Sequence, residues 1–250
     1  MLTAERHARI LQILEEKSMV SLEDLVKRID VSESTLRRDL TALDEAGKLK
    51  KIRGGAAKIW DVFTAYEANV SQKVRKNSDE KRAIAKYAAA LINNDDIVYI
   101  DAGTTTEKLV EEIPSDCQAL FVTNGIVHAC KLIKKGLKTY MIGGQIKAAT
   151  EAIVGAFAVR DIEQFNFTKC FMGTNGISEK VGCTTPDPEE AMVKSEAVQR
   201  SYVPYFLADY SKFGKVYACS ICSLEKACVI TDRLPNPEWK EITVIKEVMS

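Results

Sequence analysis

The fold of the N-terminal part of this chain is decided by residues 21–58, which read SLEDLVKRIDVSESTLRRDLTALDEAGKLKKIRGGAAK. Ser21 is an N-cap candidate for a first helix, because Asp24 follows three residues later as in a capping box. The apolar face of that helix consists of Leu22, Leu25, Val26 and Ile29. The turn at residues 30–31 leads directly to Ser32, a second N-cap candidate. The stretch therefore predicts two short helices joined by a tight turn.

The second of these helices, from residue 33 to about residue 46, has one apolar and one polar face. Its leucines fall on one side, since successive residues are separated by about 100° around the helix axis. The opposite side carries Ser34, Arg37, Arg38 and Thr41. Residues 3–17 predict a further amphipathic helix, with Thr3 as its N-cap. A tight turn followed by a helix with outward arginines is typical of a helix-turn-helix domain, whose second helix enters the major groove of DNA.

The segment after Gly47 predicts a β-hairpin with concentrated positive charge. Residues 48–52 alternate between basic and apolar side chains, residues 53–55 supply a turn, and residues 56–59 return as a second strand. All charged residues from 48 to 58 are basic, although the whole chain has 35 basic and 35 acidic residues and no net charge. Such a hairpin is expected to act as a wing that contacts DNA phosphates. A solvated basic hairpin beside an ordinary helical bundle is the alternative.

Residues 31–56, VSESTLRRDLTALDEAGKLKKIRGGA, closely resemble the DeoR family of bacterial transcriptional repressors. The resemblance implies a winged helix that binds operator DNA. It assigns DNA contacts to Ser34, Thr35, Arg37, Arg38, Lys51 and Arg53, to which the helical period adds Thr41. The chain departs from the family at Arg53, where a histidine commonly precedes the glycine pair. The arginine keeps a hydrogen-bond donor and adds a permanent charge, so DNA binding is expected to persist with a changed preference.

Residues 101–106, DAGTTT, mark a candidate ligand site in the second part of the chain. They follow the apolar run at residues 97–100 and precede a segment with helical spacing. A phosphate site needs converging backbone N–H groups at a helix start, a glycine for close approach and hydroxyls for the remaining oxygens. An ordinary capped turn needs only one glycine and one hydroxyl, so this segment alone leaves both interpretations open.

The segments that follow favour the phosphate site. From residue 78 onward, apolar runs alternate with helical segments, which predicts an α/β domain with a largely parallel sheet. The predicted strands lie at residues 97–100, 120–123, 139–142, 170–172, 205–208 and 229–230. Ligands collect at the carboxyl ends of parallel strands, so the polar and glycine residues there are candidate effector contacts. They are Asp101, Gly103, Thr104, Thr105, Thr106, Asn124, Gly143, Gly144 and Asn175.

Two lysines complete the predicted ligand site. Lys194 and Lys212 are the candidates for neutralising a phosphate, whereas Asp101 and Asn175 suit sugar hydroxyls. The helix that carries Lys194 is expected to start sharply, with Asp187 as its N-cap. The alternative is that both lysines are solvated surface groups.

This second part resembles the DeoR effector domain, which shares its fold with ribose-5-phosphate isomerase and binds phosphorylated sugars. Four of its segments look most like those of repressors of fructose-utilisation operons, namely residues 122–125, 142–144, 183–191 and 207–213. That resemblance implies fructose 1-phosphate as the ligand.

The expected architecture is α/β with two domains. A winged helix-turn-helix domain is predicted at residues 1–59, a linker or short linker helix at 60–77, and an α/β sugar-phosphate domain at 78–250. Because the chain has no net charge, DNA must be met by a local basic patch. The expected partners are operator DNA and a sugar phosphate, and the chain is expected to form a homodimer or a homotetramer.

A sugar-phosphate isomerase with an appended DNA-binding domain is the rival interpretation. That chemistry needs a carboxylate base, and the related isomerases carry an Asp-Gly-Ala-Asp type segment where this chain has Gly-Thr-Asn-Gly at residues 173–176. Asparagine cannot act as the base, although Asp101, Glu189 and Glu190 remain available. A regulator without enzymatic activity, catalytic residues or cofactor is therefore expected.

Neither a membrane segment nor a metal site is predicted. The chain has no apolar run near the roughly 20 residues that span a bilayer, and its N-terminus is charged, so a cytoplasmic protein is expected. Its seven cysteines are scattered through apolar segments and are expected to be mostly small core residues. Cys219 and Cys222 have metal-ligand spacing, but the chain has two histidines and no second ligand pair with zinc-ribbon spacing.

Overall fold

The chain is divided into two compact units. The structure, a computed structural model, describes residues 2–17, 19–58, 62–63, 70–235 and 237–249. Its packing separates Met1–Val62 from Phe63–Ser250. The predicted domain limits at residues 59 and 77 remain predictions, because residues 59–61 and 64–69 lie outside the described residues.

The first unit is a winged helix, as predicted. Its elements are α1 (Thr3–Lys17), β1 (Met19–Ser21), α2 (Leu22–Ile29), α3 (Glu33–Glu45), β2 (Lys50–Ile52) and β3 (Gly55–Ala57). The three strands form an antiparallel sheet in the order β1-β3-β2. Helices α2 and α3 are the predicted helix-turn-helix pair, and β2 and β3 are the strands of the wing.

Short-range hydrogen bonds fix the starts of α2 and α3. The Ser21 hydroxyl accepts a hydrogen bond from the backbone N–H of Asp24, and the Ser32 hydroxyl accepts one from the backbone N–H of Thr35. Asp30 adopts a left-handed conformation, with φ of 54°, and thereby ends α2 just before the turn into α3. Both predicted N-caps are confirmed.

Helix α1 spans the predicted residues 3–17, but Thr3 is not its N-cap. The Leu2 carbonyl accepts a hydrogen bond from the Arg6 N–H at 3.0 Å, which places Leu2 at the N-cap and Thr3 inside the helix. The Leu2 N–H donates in turn to the Glu5 carboxylate at 2.9 Å. The prediction of Thr3 as the N-cap is therefore wrong.

An ion pair in the winged-helix core joins α1 to α3. Asp39, which is 5% exposed, accepts hydrogen bonds from Nε and Nη2 of Arg6 at 2.5 and 2.9 Å, and its Oδ1 lies 3.1 Å from Nε2 of His7. The hydrogen bond from Arg6 is the main reason that the pKa of Asp39 lies below its ordinary value. The sequence predicted only the apolar part of this face, Leu36, Leu40 and Leu43, which is buried as expected.

The glycine pair of the wing meets two different requirements. Gly54 has a φ of +84°, and no described atom lies within 4 Å of the position of a Cβ there. A Cβ on Gly55 would lie 2.1 Å from the carbonyl oxygen of Val20 on β1, the strand paired with β3. The first glycine therefore permits a left-handed turn, and the second permits close approach of two strands.

We expect Gly55→Ala to destabilise the winged helix more than Gly54→Ala. The Gly54 variant should cost about 1 to 2 kcal/mol of unfolding free energy, from backbone strain alone. The Gly55 variant adds a clash with backbone, which can be relieved only by separating β1 from β3. Denaturant unfolding of the two variants gives the order. Equal stability of the two variants would show that the close approach is not a constraint.

The second unit is built on a seven-stranded parallel sheet. From β4 onward the elements are β4 (Val62–Phe63), α4 (Val70–Arg75), α5 (Ser78–Ala89), β5 (Ile97–Ile100), α6 (Thr104–Glu112), β6 (Leu120–Thr123), α7 (Ile126–Lys134), β7 (Thr139–Met141), β8 (Gln145–Lys147), β9 (Ala152–Val154), α8 (Ala156–Ile162), β10 (Phe167–Gly173), β11 (Gly176–Ser178), β12 (Gly182–Thr185), α9 (Pro188–Gln199), β13 (Ser201–Leu207), β14 (Lys215–Val216), β15 (Cys219–Cys222), β16 (Cys228–Thr231) and β17 (Ile245–Glu247). The sheet order is β17-β16-β13-β10-β5-β6-β7, and all its neighbouring strands are parallel. The predicted α/β class is confirmed.

All six predicted strands are present in this sheet. The central strands β10 and β13 are longer than predicted, at seven residues each. The sequence did not predict β17 or the short antiparallel pieces β8-β9 and β11-β12-β15. These strands have three or four residues each, which is too short to give a periodic signal. Helix α4 lies within the predicted linker, where a short helix was one of the two expectations.

An apolar cluster covers each face of the parallel sheet. Tyr99 packs in one cluster, whereas Val98 and Ile100 pack in the other, since successive side chains of a strand point to opposite faces. Strand β5 is therefore packed on both of its faces. This packing positions its carboxyl end, where DAGTTT begins.

Four of the seven cysteines lie in or against the hydrophobic core, as predicted. Cys170 and Cys183 are buried within one core cluster, and the half-buried Cys222 and Cys117 pack against the clusters. Cys219 and Cys228 are half-buried, and Cys130 is exposed. Within the described ranges, no group of three or more His, Cys, Asp or Glu side chains could hold a metal ion. No helix in the same ranges is long and apolar enough to cross a membrane.

Candidate functional site

The two arginines on the outward face of α3 differ in their contacts. Arg37 donates from Nη2 and Nε to the Glu33 carboxylate at 2.5 and 2.9 Å. Arg38 is exposed and has no ion-pair partner among the residues that the structure describes. Arg38 is therefore the arginine that can extend from α3 without breaking an existing contact.

Hydroxyl groups cluster at the start of α3. The Ser32 Oγ lies 3.0 Å from the Ser34 Oγ and 2.8 Å from the Thr35 Oγ1. The first backbone N–H groups of a helix have no intrahelical partner. This end of α3 therefore offers several donors for the oxygens of a DNA phosphate.

The wing is attached to α3 by hydrogen bonds. Lys51 on β2 donates from Nζ to the Thr41 Oγ1 at 2.7 Å and from its backbone N–H to the Asp44 carboxylate at 3.2 Å. Arg53 is exposed in the turn between β2 and β3. The seven predicted DNA contacts thus lie on α3 and on the wing that is bonded to it.

A cavity lies at the carboxyl edge of the central strands in the second unit. It is bounded by residues that follow β5, β10 and β13. Six of the predicted effector contacts line it, namely Gly103, Thr104, Thr105, Asn175, Lys194 and Lys212. The other lining residues are Lys73, Lys76, Lys81, Ala102, Thr150, Gly173, Thr174, Glu190, Leu207 and Asp209.

DAGTTT forms one wall of this cavity. Gly103, Thr104 and Thr105 face it at the start of α6, where backbone N–H groups are unpaired and suit an anion. Thr106 does not face the cavity, contrary to prediction. Its hydroxyl donates to the Asp101 carbonyl at 2.6 Å and lies 3.1 Å from Nε2 of His128. These contacts stabilise the loop between β5 and α6.

A buried ion pair lies beneath the cavity. Lys194 on α9 donates from Nζ to Oδ2 of Asp101, which also accepts the Gly173 N–H at 2.9 Å. Asp101 is 1% exposed, and its Oδ1 has no hydrogen-bond partner among the described residues. Burial raises the pKa of Asp101, and Lys194 opposes that rise. Asp101 therefore positions Lys194 and does not itself line the cavity, as a contact to sugar hydroxyls would require.

Glu190 supplies a carboxylate to the cavity wall. It accepts hydrogen bonds from Nζ of Lys147 at 2.9 Å and from the Thr150 hydroxyl at 3.0 Å. Burial alone would raise the pKa of Glu190, but Lys194 and Lys147 keep it below its ordinary value. Asp187 caps α9 as predicted, by accepting the Glu190 N–H. Glu190 is therefore an ionised acceptor, suited to hydroxyl groups of a ligand.

A turn after β13 places Lys212 in the cavity. Asp209 starts the short 3₁₀ helix Tyr210–Lys212 and accepts hydrogen bonds from the Ser211 hydroxyl at 2.5 Å and from Nδ2 of Asn77 at 2.7 Å. Burial lowers the pKa of Lys212 to about 8, with Asp209 opposing the shift and neighbouring lysines adding to it. Lys212 is not an ordinary solvated lysine, because it titrates close to neutral pH.

Besides Asp101 and Thr106, three further predicted effector residues do not line the cavity. Gly143 and Gly144 follow β7, which is the edge strand of the sheet, so they lie away from its centre. Gly143 donates its N–H to Asp161 at 2.6 Å. Asn124 is buried, accepts the Ala102 N–H at 2.7 Å and donates to the Ile153 carbonyl. It therefore stabilises the loop that contains Ala102 without lining the cavity itself.

Some lining residues could have been found from the sequence. Thr174 and Asp209 directly follow predicted strands, which is the same signal that indicated Asn175. Glu190 was identifiable as the N3 residue of a capping box, but not as a lining residue. Lys73 and Lys76 lie in residues 60–77, which lack a clean period, and Lys81 lies in a helical segment before the first strand, so none of the three was identified.

A winged helix followed by an α/β unit with a cationic cavity defines a DNA-binding regulator with a ligand-sensing domain. Residues 6–60 match the DeoR-like helix-turn-helix domain, and residues 76–233 match the DeoR C terminal sensor domain. The chain therefore belongs to the DeoR family of transcriptional regulators.

Full-length relatives agree with this assignment. The chain is 39% identical over 251 residues to an uncharacterized HTH-type transcriptional regulator, FruR, of Bacillus subtilis (strain 168), with 99% of each chain covered. It is 34% identical to the HTH-type transcriptional regulator GlpR of Haloferax volcanii, with 96% of this chain and 94% of the relative covered. It is also 34% identical to a lactose phosphotransferase system repressor of Staphylococcus epidermidis, with 98% of each covered. These relatives are named as regulators and not as enzymes.

Among solved structures, ribose 5-phosphate isomerase A of Methanocaldococcus jannaschii overlaps the chain with a TM-score of 0.43 and 12% identity. The overlap covers 55% of each chain. A likeness this partial says nothing about function.

Proposed function

We propose that the chain represses a sugar-utilisation operon and that a sugar phosphate bound in the second unit changes its affinity for the operator. Fructose is the first candidate for the sugar and fructose 1-phosphate for the effector. The observation that carries the proposal is the cavity itself, where five lysines and the start of α6 surround one space. Such a constellation suits a phosphate dianion.

The polar groups of the cavity fit the rest of a sugar phosphate. Glu190 and Asn175 offer oxygen acceptors, and Thr104 and Thr105 offer hydroxyls. The sugar-operon relatives support the same class of ligand, since one is named FruR and another is a lactose phosphotransferase system repressor. The choice of fructose 1-phosphate rests on the resemblance of four sequence segments to fructose-operon repressors.

An isomerase is disfavoured by the chemistry of the cavity. Asn175 occupies the segment where a carboxylate base would be expected, and Glu190 and Asp209 are engaged by hydrogen bonds to neighbouring side chains. A purified chain that interconverted sugar phosphates would overturn this view.

We also propose that the chain associates with copies of itself. The proposed domain limits lie near residues 59 and 77, and the proposed location is the cytoplasm. Helix-turn-helix proteins commonly bind two half-sites as symmetric dimers, so a homodimer or a homotetramer is proposed. Light scattering on the purified chain, with and without operator DNA, measures the oligomeric state.

Thermal-shift screening against a panel of sugar phosphates tests the proposal directly. A ligand that binds the native state raises the unfolding midpoint by mass action. Fructose 1-phosphate is expected to raise it, whereas unphosphorylated fructose at equal concentration is expected to leave it unchanged. The same ligand should then shift operator binding in a fluorescence anisotropy titration. A ligand that stabilises the chain without changing operator affinity would refute the coupling.

Arg38→Ala is expected to cost about 1 to 3 kcal/mol of specific operator affinity. Arg38 extends from α3 without a partner among the described residues, so its loss removes a base contact and leaves no unpaired group. The matched control is Arg28→Ala, an exposed arginine on α2. Unchanged operator binding by the Arg38 variant would remove this residue from the recognition role.

Lys51→Ala or Arg53→Ala is expected to weaken binding to all DNA sequences by a similar factor. Each removes a wing charge that contacts phosphate, so the slope of log affinity against log salt should fall by about one unit. Salt titrations with operator and with unrelated DNA measure both effects. A loss restricted to one base pair would mean that the wing reads sequence.

A further inference from the structure

Besides the wall formed by DAGTTT, the sensor cavity has a second wall, formed by lysines of residues 73–81 before the sheet. Lys73 on α4, Lys76 after it and Lys81 on α5 all line the cavity, although the first two lie in residues expected to be a linker or a short linker helix. Lys81 is 5% exposed, although lysine is rarely buried. Three lysines from nine consecutive residues therefore face the same space as DAGTTT.

Specific contacts attach this segment to the cavity. Nζ of Lys81 donates to the backbone carbonyl of Lys73, which links α5 to α4. Asn77, in a left-handed conformation with φ of 54°, donates to Asp209 at 2.7 Å and to the Ser211 hydroxyl at 3.4 Å. Helix α4 also packs against α6, whose first turn lines the same cavity. The segment is thus folded onto the turn that carries Lys212.

Positive charge is concentrated around the cavity. Five lysines line it together with the carboxylates of Glu190 and Asp209, and one of these lysines, Lys194, is paired with the buried carboxylate of Asp101. Burial lowers the pKa of Lys81, and Lys73 and Lys76 lower it further, with Asp209 opposing. A phosphate monoester, which carries a charge of about minus two at neutral pH, would be stabilised by this positive charge.

We propose that residues 73–81 form the second half of the phosphate site and that a bound phosphate dianion holds α4 against the sensor cavity. This inference rests on the proposed function and adds a further set of residues that bind the phosphate. Helix α4 precedes the sensor sheet in the chain. A bound phosphate is therefore expected to slow the local opening of α4 away from the cavity.

Hydrogen exchange on the full chain tests the inference. Fructose 1-phosphate, and separately inorganic phosphate, should slow amide exchange in residues 70–77, whereas unphosphorylated fructose should not. Lys76→Met should weaken binding of fructose 1-phosphate about tenfold, the effect of losing one charged hydrogen bond. It should also reduce the protection of residues 70–77. The matched control is Lys86→Met, which removes an exposed lysine of α5 that does not line the cavity.

The outcomes separate this inference from the proposed function. If the wild-type chain binds fructose 1-phosphate but α4 exchange is unchanged, the inference fails and the proposed function stands. Binding by Lys76→Met as tight as by Lys86→Met would have the same meaning. If inorganic phosphate protects α4 while fructose 1-phosphate changes neither stability nor operator affinity, the proposed ligand fails and the second wall stands. Protection of α4 by neither compound overturns the inference.

Discussion

Replacing Lys194 with Met is expected to lower the free energy of unfolding of the sensor unit by about 3 to 5 kcal/mol. The Lys194 and Asp101 side chains are almost fully buried and in direct hydrogen-bond contact. Without the ammonium, Asp101 becomes a buried carboxylate that keeps the Gly173 N–H on one oxygen, while its other oxygen lacks a partner among the described residues. Denaturant unfolding of the full chain measures the loss.

The deficit of Lys194→Met should depend on pH. Burial already raises the pKa of Asp101 with Lys194 in place, and removal of the lysine should raise it further. A group whose folded pKa is raised stabilises the fold below its unfolded pKa, about 3.9 for Asp, and this stabilisation is lost as pH rises through the folded pKa. The deficit is therefore expected to be small below about pH 4 and to grow toward neutral pH.

The double variant Asp101→Asn/Lys194→Met is the matched control. It replaces both charges by neutral groups of similar size, so most of the lost stability should return. A deficit that does not change with pH would contradict the uncompensated carboxylate as its cause. Full stability of the single variant at neutral pH would do so as well.

The winged helix could be predicted because its determinants are local. Ser21 and Ser32 cap helices that begin one residue later, and each accepts a backbone N–H three residues along the chain. The turn residue Asp30 and the glycine pair act equally close to their own positions. Short-range contacts of this kind can be read directly from spacing.

The cavity could be predicted only in part, because its composition depends on strand order. Every parallel strand ends with polar or glycine residues, but only those at the centre of the sheet meet. Asn175 follows central β10 and faces the cavity, whereas Gly143 and Gly144 follow edge strand β7 and do not. Nothing in the spacing of the strands along the chain shows which of them is at the edge.

Pairs of charges far apart in sequence were beyond prediction. Asp101 and Lys194 are separated by 93 positions, and Arg6 and Asp39 by 33. The sequence pattern indicated a role in ligand binding for Asp101 and no role for Asp39. A buried carboxylate requires a partner, but the sequence does not say which cation supplies it.

Lys212→Ala is expected to abolish the response of operator affinity to fructose 1-phosphate while leaving operator binding without ligand unchanged. Lys212 lines the same cavity as Thr104 and Thr105 and belongs to the sensor unit, so in the proposed site it supplies positive charge to the phosphate. Loss of one charged hydrogen bond weakens binding by about 1.5 to 3 kcal/mol. At a fructose 1-phosphate concentration that just saturates the wild-type chain, the variant therefore stays largely without ligand, and the coupling of typically about 1 to 3 kcal/mol between ligand and operator is not expressed. Operator titrations with and without fructose 1-phosphate measure the response.

The same lysine should make ligand binding depend on pH in a defined direction. The pKa of Lys212 is about 8, so the side chain is charged below that pH and increasingly neutral above it. The phosphate stays dianionic across this range, since its second pKa is about 6. Affinity for fructose 1-phosphate is therefore expected to fall as pH rises through about 8 in the wild-type chain, and to fall less in Lys212→Ala. Calorimetric titration at several pH values measures this difference.

Lys226→Ala is the matched control for Lys212→Ala, because it removes an exposed lysine of the same unit that does not line the cavity. It should respond to fructose 1-phosphate like the wild-type chain. Coupling is reciprocal, so in wild type and in Lys226→Ala the operator must change ligand affinity by the same factor by which the ligand changes operator affinity. In Lys212→Ala neither change should be measurable. A normal response by Lys212→Ala, or an equal response of the wild-type chain to unphosphorylated fructose, would show that the wall formed by DAGTTT and Lys212 does not bind a phosphate.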